Sequence, residues 1–282
     1  MHTVNKTSSY FIELEEKYGA HNYHPLPVVL EKGKGVFVWD VEGNKYYDFL
    51  SAYSAVNQGH SHPKIVDALV NQAQKLALTS RAFYNANLGE YEKKITELFG
   101  FDKVLPMNSG AEAVETAVKL ARKWSYEVKG VPQNAAKIVV CENNFHGRTT
   151  TIVSFSNDPD ANNNYGPFTP GFIKIPYNDL KALEETLAND SENIAAFLVE
   201  PIQGEAGVYV PDEGFLKSAS ELCKKYNVLF IADEVQTGIA RTGKLFACHH
   251  ENVQPDILIL GKALSGGMYP VSAVLANDEI MN

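Results

Sequence analysis

The amino-acid sequence predicts an α/β fold with a mostly parallel central sheet and helices on both of its faces. From residue 103 onward, short apolar runs rich in valine and isoleucine alternate with amphipathic stretches of helical period. This alternation is typical of βαβ units, in which crossover helices cover both faces of a parallel sheet. The 282 residues, of which 45% are hydrophobic, are enough to bury such a core.

The N-terminal part of the chain predicts a helix followed by a small β-meander. Apolar residues at helical spacing predict a helix that begins near Ser8 and stops at Gly19. The two prolines in residues 24–27 then require extended backbone. Three short strands are then expected around residues 28–31, 36–40 and 45–49. We assign residues 1–53 to this N-terminal segment and residues 54–282 to a larger domain.

From residue 63 onward the spacing of the apolar residues changes, and it predicts the helices and strands of the larger domain. Helices are expected over residues 63–75, 89–99, 111–128, 180–188 and 214–226. Strands are expected over residues 103–107, 137–141, 172–175, 195–199, 228–232, 256–260 and 272–276. The composition of residues 158–166 predicts a polar loop.

Composition and charge exclude several classes of function. Lys and Arg total 25 against 34 Asp and Glu, a net charge of −9, and no basic run offers the clustered cations that nucleic acid requires. The sequence lacks the run of about 18 apolar residues that a membrane span needs, and residues 1–17 lack the apolar core of a signal peptide. The three cysteines have no paired spacing and the histidines have no third ligand at metal spacing. We therefore expect a cytosolic protein without metal, nucleic-acid or membrane partners.

Residues with chemical function follow the predicted strands at the point where each strand ends. Ser109 follows the first strand of the larger domain, Phe145 the second, Glu200 the fourth, Asp233 the fifth and Lys262 the sixth. Ligands of open parallel sheets bind beyond the carboxyl ends of the strands. We therefore expect these residues to meet in one site.

Asp233 and Lys262 indicate which chemistry this site performs. An acid at the end of so apolar a strand needs a partner, and the small neighbours Gly261 and Ala263 leave room for a flat ring beside the lysine. An acid and a lysine suit a cofactor with a basic ring nitrogen and an aldehyde, which describes pyridoxal 5′-phosphate (PLP). Each residue alone has a simpler explanation, a buried salt bridge for Asp233 and a solvated turn for Lys262.

Other strand ends offer residues for the remaining cofactor contacts. Ser109, with a glutamate three residues later, predicts a capping box, and the N–H groups near Gly110 could bind a phosphate. Phe145 and Val235 could stack on the two faces of a ring, and Gln236 could donate to its phenolic oxygen. An ordinary helix cap and core packing of Phe145 are the alternatives.

A further group of residues could contact a substrate. Arg148 can hold a carboxylate through two parallel hydrogen bonds, although a surface ion pair is the alternative. Tyr23 and Tyr53 could reach the substrate from the N-terminal segment, and Glu200 and Glu205 flank a turn at another strand end.

Together these segments resemble the class III PLP-dependent aminotransferases of fold type I, from about Tyr10 to Asn282. The resemblance rests on residues 18–27 (YGAHNYHPLP), 51–60 (SAYSAVNQGH), 105–113 (LPMNSGAEA), 200–207 (EPIQGEAG) and 260–267 (LGKALSGG), and on the run that ends at Asp233. The motif in residues 22–25 favours the branch of the family that uses ornithine.

The resemblance implies how the cofactor is held. Lys262 forms the Schiff base with PLP and then moves the proton of the 1,3-shift. Asp233 pairs with the pyridine nitrogen, and Gln236 bonds the phenolic oxygen. The ring stacks on Phe145, and the phosphate is held by Ser109, Gly110 and Ala111.

The resemblance also implies the substrates. Tyr23 and Arg148 hold the α-amino and α-carboxylate groups of L-ornithine, so that its δ-amino group meets the cofactor. Glu205 governs the exchange with 2-oxoglutarate by pairing with an arginine. The products are glutamate and glutamate-5-semialdehyde, which cyclises to pyrroline-5-carboxylate, in a reaction that serves arginine breakdown or proline formation.

Three further expectations follow from the resemblance. A homodimer is expected, because the family's sites lie at a subunit interface. The family's C-terminal small domain, which carries the gating arginine, is expected to be absent from a chain that ends at Asn282. The alternatives to ornithine use are an acetylornithine or 4-aminobutyrate aminotransferase, or a non-catalytic chain that binds PLP.

Overall fold

A computed structural model describes residues 6–282, so the first five residues of the predicted N-terminal segment lie outside the described residues. Helix α1 (Ser8–Tyr18) ends at Gly19, as predicted. A three-stranded antiparallel sheet follows, with its second strand in the centre: β1 (Leu30–Lys34), β2 (Phe37–Asp40) and β3 (Lys45–Tyr47). The predicted β-meander is therefore confirmed.

The central sheet has seven strands. In chain order they are β4 (Lys103–Met107), β5 (Lys137–Cys141), β6 (Phe172–Ile175), β7 (Ile194–Val199), β8 (Leu229–Asp233), β9 (Ile257–Leu260) and β10 (Ser272–Ala276). Their spatial order is β4-β10-β9-β8-β7-β5-β6. Strand β10 runs antiparallel to both of its neighbours, and the pairs from β9 to β6 are parallel. The mostly parallel sheet agrees with the prediction.

Helices cover both faces of this sheet. Helix α2 (Pro63–Lys75) has no buried residue, and the helices that cover the sheet are α3 (Leu88–Phe99), α4 (Gly110–Trp124), α5 (Leu180–Asp190) and α6 (Phe215–Lys225). The apolar stripe of α4 packs on one face through Ala113, Ala117 and Ala121. Residues of α3, α5 and α6 pack on the other face. Strands β7, β8 and β9 are buried along their whole length, as expected for strands covered on two sides.

Several predicted boundaries were wrong, each for a local reason. The helix expected over residues 111–128 leaves α-geometry at Trp124 and continues as a π-helical turn, Ser125–Lys129, where the Ser125 hydroxyl donates to the carbonyl of Arg122 at 2.8 Å. The first meander strand begins at Leu30 because the Val28 N–H is already used by the carbonyl of Leu26.

Short helical turns interrupt the segments between the main elements. They are Thr150–Val153, Pro159–Asn162, Ala247–Glu251, Lys262–Ser265 and Asp278–Met281. The second of these lies inside the predicted polar loop, which is therefore partly helical. Within residues 6–282, no helix is long and apolar enough to cross a bilayer. The division of the chain at residues 53 and 54 stays a prediction.

Candidate active site

The carboxyl ends of β4, β5, β7, β8 and β9 meet around a cavity of about 210 Å³. Nine of the thirteen predicted site residues line it: Gly110, Ala111, Phe145, Glu200, Glu205, Asp233, Val235, Gln236 and Lys262. The other four, Ser109, Arg148, Tyr23 and Tyr53, do not line the cavity. The sheet thus brings together residues that are more than 150 positions apart in the chain.

Asp233 forms a buried pair with His146 at the base of the cavity. The Nδ1 atom of His146 donates to Oδ2 of Asp233 at 2.6 Å, and the N–H of Val235 donates to Oδ1 at 3.1 Å. Burial alone would lower the pKa of His146, but the hydrogen bond and charge of Asp233 outweigh burial and raise it above 6.5. These two donors fix the orientation of the Asp233 carboxyl group, as is required of a partner for a cationic ring nitrogen.

Glu200 lies beside this pair as a second buried acid. Burial raises the pKa of Glu200 to about 7, although the nearby His146 opposes the shift. Its Oε2 atom accepts the N–H of Phe145 at 3.0 Å and so fixes the loop that follows β5. The hydroxyl of Tyr177 donates to the carbonyl of Pro201 at 3.0 Å and holds the backbone of this strand end in place. In the structure Glu200 positions the Phe145 loop.

Lys262 enters the cavity from a turn that follows β9. Its φ angle is +44°, which is unfavourable for any residue with a side chain, and its side chain is partly buried. Burial lowers the pKa of Lys262, and the carboxylates of Glu205, Asp233 and Glu200 act against that shift. At the preceding Gly261 a Cβ would lie 3.1 Å from Cγ1 of Val235, a tight contact that glycine avoids. A desolvated amine of this kind suits imine chemistry.

The predicted capping box is present at the start of α4. Ser109 Oγ accepts the N–H of Glu112 at 3.3 Å, and Oε2 of Glu112 accepts the N–H of Ser109 at 2.9 Å. The carbonyl of Ser109 is held by the hydroxyl of Ser272 at 2.6 Å, which joins this helix start to β10. Gly110 and Ala111 thereby present the first turn of α4 to the cavity. The N-terminus of a helix is a favourable place for a phosphate.

Gln236 and Glu205 are hydrogen-bonded at the mouth of the cavity. Nε2 of Gln236 donates to Oε1 of Glu205 at 3.0 Å. Gly204 makes room for this contact, since a Cβ there would lie 1.7 Å from Oε1 of Gln236. Glu205, predicted to pair with an arginine, has an amide as its partner in this structure.

Arg148 does not line the cavity but lies beside the rings of Tyr23 and Phe145. Its guanidinium carbon lies 5.0 Å from the Tyr23 ring centre and 5.7 Å from that of Phe145. These are cation–π distances, and they place a side chain that can bind a carboxylate next to the predicted stacking ring. Tyr53 does not line the cavity, and its side chain is 49% exposed.

Four residues that line the cavity were not predicted: His146, Gly147, Ile202 and Thr237. His146 is the most important of the residues that the sequence analysis missed, because it is the direct hydrogen-bond partner of Asp233. Its position between the predicted residues Phe145 and Arg148 was the available signal. The sequence does not show that its ring turns towards β8, which is set by the packing of the loop.

Comparisons with known proteins show the family of the chain. Residues 18–282 match the aminotransferase class-III family. The mitochondrial ornithine aminotransferase of Drosophila melanogaster is 69% identical over 267 residues, which cover 95% of this chain and 62% of that protein. The solved acetylornithine aminotransferase of Elizabethkingia anophelis is 78% identical with a TM-score of 0.88, over 98% of this chain and 66% of its own.

A second solved structure, the ornithine aminotransferase of Toxoplasma gondii, reports partial occupancy of PLP at its active site. It is 54% identical with a TM-score of 0.97, over 99% of this chain and 65% of its own. The present chain spans 61–65% of the length of the first three curated relatives, less than two thirds. Its sheet and helices follow those of the solved structures, which confirms the predicted fold type I architecture. The chain belongs to the class-III aminotransferase family.

Proposed function

We propose that this chain forms the cofactor-binding part of a PLP-dependent ornithine δ-aminotransferase. The observation that carries the proposal is the shared cavity of Asp233 and Lys262, an oriented acid and a partly desolvated amine with a helix N-terminus at the same edge. The name of the Drosophila melanogaster relative supports ornithine as the amino donor.

The residues of the cavity fit PLP. Asp233 would face the ring nitrogen, and the lining residues Val235 and Phe145 would contact the faces of the ring. The first turn of α4 at Gly110 and Ala111 would take the phosphate, with Ser109 as its cap. Burial of the Lys262 amine would be costly without such a partner, which is a further reason for the assignment.

Bound PLP would supply an electron sink for the carbon that loses its amino group. The chain's own part is to control protons and orientation. Asp233, held by His146, would keep the ring nitrogen protonated. Lys262 would accept and return a proton at its Nζ atom, which its lowered pKa favours. Gln236 would donate to the phenolic oxygen of the ring.

The contact of Arg148 with Tyr23 supports an ornithine anchor at the entrance. Arg148 would bind the α-carboxylate and Tyr23 the α-amino group, leaving the δ-amino group to enter the cavity. 2-Oxoglutarate would then take the amino group, with Glu205 as the residue that must move. The products would be glutamate and glutamate-5-semialdehyde.

The Elizabethkingia anophelis structure favours a second candidate, acetylornithine aminotransferase, because that protein is 78% identical. The two activities differ at the α-amino group of the donor, which is free in ornithine and acylated in N-acetylornithine. Rates with ornithine, N-acetylornithine and 4-aminobutyrate, each with 2-oxoglutarate, would separate them. A preference for N-acetylornithine would replace the ornithine assignment.

The cofactor assignment is tested on the purified chain. We expect PLP to give a yellow adduct that borohydride fixes on Lys262, as located by mass spectrometry. Lys262→Ala should abolish it, and Lys244→Ala, which changes an exposed lysine, should not. Failure of the wild-type chain to form the adduct would refute the proposal, and a yellow chain without transaminase activity would support the non-catalytic alternative.

We also propose that the chain forms a homodimer, supported by large apolar side chains that lie exposed. Phe49 is 90% exposed, Phe83 69% and Leu78 89%. Exposed apolar patches mark interaction surfaces. Sedimentation velocity of the purified chain tests this proposal, and a monomer would contradict it.

A cytosolic location stays a prediction, supported by three buried free cysteines.

A further inference from the structure

A left-handed turn of four residues connects the N-terminal sheet to the large domain. Ser51, Ala52, Tyr53 and Ser54 have φ angles of +52°, +47°, +54° and +77°. Such angles are unfavourable for each residue with a Cβ and normally occur singly. Four in succession persist only where the surrounding structure enforces them.

A hydrogen-bonded pair of side chains, Asp48 and His60, lies at the two ends of the segment that contains this turn. Oδ1 of Asp48 accepts the N–H groups of Leu50 at 3.0 Å and Ser51 at 2.8 Å, and Oδ2 lies 2.6 Å from Nε2 of His60. The side chains of Asp48 and His60 are only 16% and 24% exposed. The backbone of His60 is held in turn by two hydrogen bonds with Gly35. The two ends of the segment Asp48–His60 are thus joined, and the turn lies between them.

The closed segment contacts Gly267 through Val56, and Ile65 of α2 contacts Gly266, in the stretch that follows Lys262. A Cβ on Gly267 would lie 2.4 Å from Cγ1 of Val56, and a Cβ on Gly266 would lie 2.5 Å from Cδ1 of Ile65. The φ angles of Gly266 and Gly267 are also positive, +64° and +80°, and both glycines lie in the same short stretch as Lys262, whose φ angle is +44°. Residues 51–54 of the closed segment also contact the Lys262–Ser265 turn itself.

Asn57 fixes the same segment to the loop that follows Asp233. Its Nδ2 atom donates to the carbonyl of Ile239 at 3.3 Å, and Arg241 donates to its Oδ1 at 2.9 Å. The segment therefore contacts the loops that carry both the acid and the lysine of the cavity. None of the residues that form these contacts lines the cavity.

We propose that Asp48 and His60 are positioning residues, which hold the left-handed turn closed so that it supports the backbone of the Lys262 loop. The significance for catalysis rests on the proposed role of Lys262, but the mechanical coupling does not. When the hydrogen bond between Asp48 and His60 is broken, Val56 separates from Gly267 and the Lys262–Ser265 turn loses its contact with the segment. Lys262 then leaves its strained backbone conformation more often.

Hydrogen–deuterium exchange of the chain without added PLP tests the coupling directly. For His60→Ala we expect exchange in residues 261–268 to rise roughly tenfold, with no change in α4, because the opening is local. His60→Gln keeps an N–H donor for Asp48 and should restore exchange to within about twofold of wild type. His21→Ala is the matched control, since His21 lies 3.6 Å from Glu16 on the exposed surface, far from Lys262 in the chain.

Val56→Ala gives a second route to the same result, because it removes the contact with Gly267 and leaves Asp48 and His60 intact. It should also raise exchange in residues 261–268. Faster exchange confined to residues 35–60, or an equal rise throughout α4, would overturn the proposal. Failure of the wild-type chain to bind PLP would refute the proposed function and leave this test unaffected.

Discussion

The buried pair of His146 and Asp233 offers the sharpest test of how the cavity is built. Their side chains are 0% and 5% exposed, and Nδ1 lies 2.6 Å from Oδ2. His146→Leu would leave Asp233 as a buried acid with a single backbone donor. Removing one partner of a buried pair costs about 3–5 kcal/mol. In a chain of this size each kcal/mol changes Tm by about 2–4 °C, so we expect a fall on the order of 10 °C.

The assay is thermal unfolding of the chain without PLP, from pH 5 to 9. The pKa of His146 is raised in the folded chain. The stabilisation by its proton is therefore complete below its ordinary pKa of 6.5 and is lost as the pH rises through the folded value. The difference in Tm between wild type and His146→Leu should shrink in the same direction. A Tm within about 2 °C of wild type below pH 6.5, or a difference that grows with pH, would refute this reasoning.

His146→Asn separates the charge of the pair from its hydrogen bond. An asparagine at this position can donate to Asp233 without carrying a charge, so its loss of stability should be smaller than that of His146→Leu and nearly independent of pH. Bound PLP should restore stability to His146→Leu more than to wild type, because a protonated ring nitrogen would replace the missing cation beside Asp233. Equal stabilisation of both proteins by PLP would argue that the ring nitrogen does not meet Asp233.

Three further predictions concern the walls and entrance of the cavity. Because the pKa of Glu200 is raised in the folded chain, the free energy of unfolding should fall by on the order of 3 kcal/mol as the pH rises from 4.5 to 7. Glu200→Gln should abolish this fall, as measured by urea titrations at each pH. Gly204→Ala should displace Gln236 and weaken PLP binding about tenfold in fluorescence titrations, one hydrogen bond's contribution. Tyr23→Phe should raise KM for ornithine about tenfold with PLP affinity unchanged, because it removes one hydroxyl and keeps the ring beside Arg148; unchanged KM would contradict the ornithine anchor.

Much of the fold could be predicted because each strand and helix carries its own periodicity. Strands β4, β5, β6 and β10 begin and end at the predicted residues, as does α2. The errors lie where a side chain competes with the regular backbone pattern, as Ser125 does in the π-helical turn. Local sequence predicts regular hydrogen bonding well and its interruption poorly.

The candidate site could be predicted in part because parallel strands place their carboxyl ends on one edge. Asp233 is the last residue of β8 and Lys262 follows the neighbouring strand β9, and the topology brings them to one cavity. His146 could not be predicted in the same way, since its role depends on which direction its ring takes from a loop. The pairing of Gln236 with Glu205 likewise depends on the space beside Gly204.

The sequence by itself therefore determined the α/β class, the strand ends that carry chemistry and the pairing of an acid with a lysine. Only the tertiary structure decided the partner of Asp233, the strained backbone of Lys262 and the support that Asp48 and His60 give to it. The physical reason is the range of the interactions. Periodicity and helix capping act between residues a few positions apart, whereas a buried ion pair or a packed glycine depends on segments that meet only after the sheet has formed.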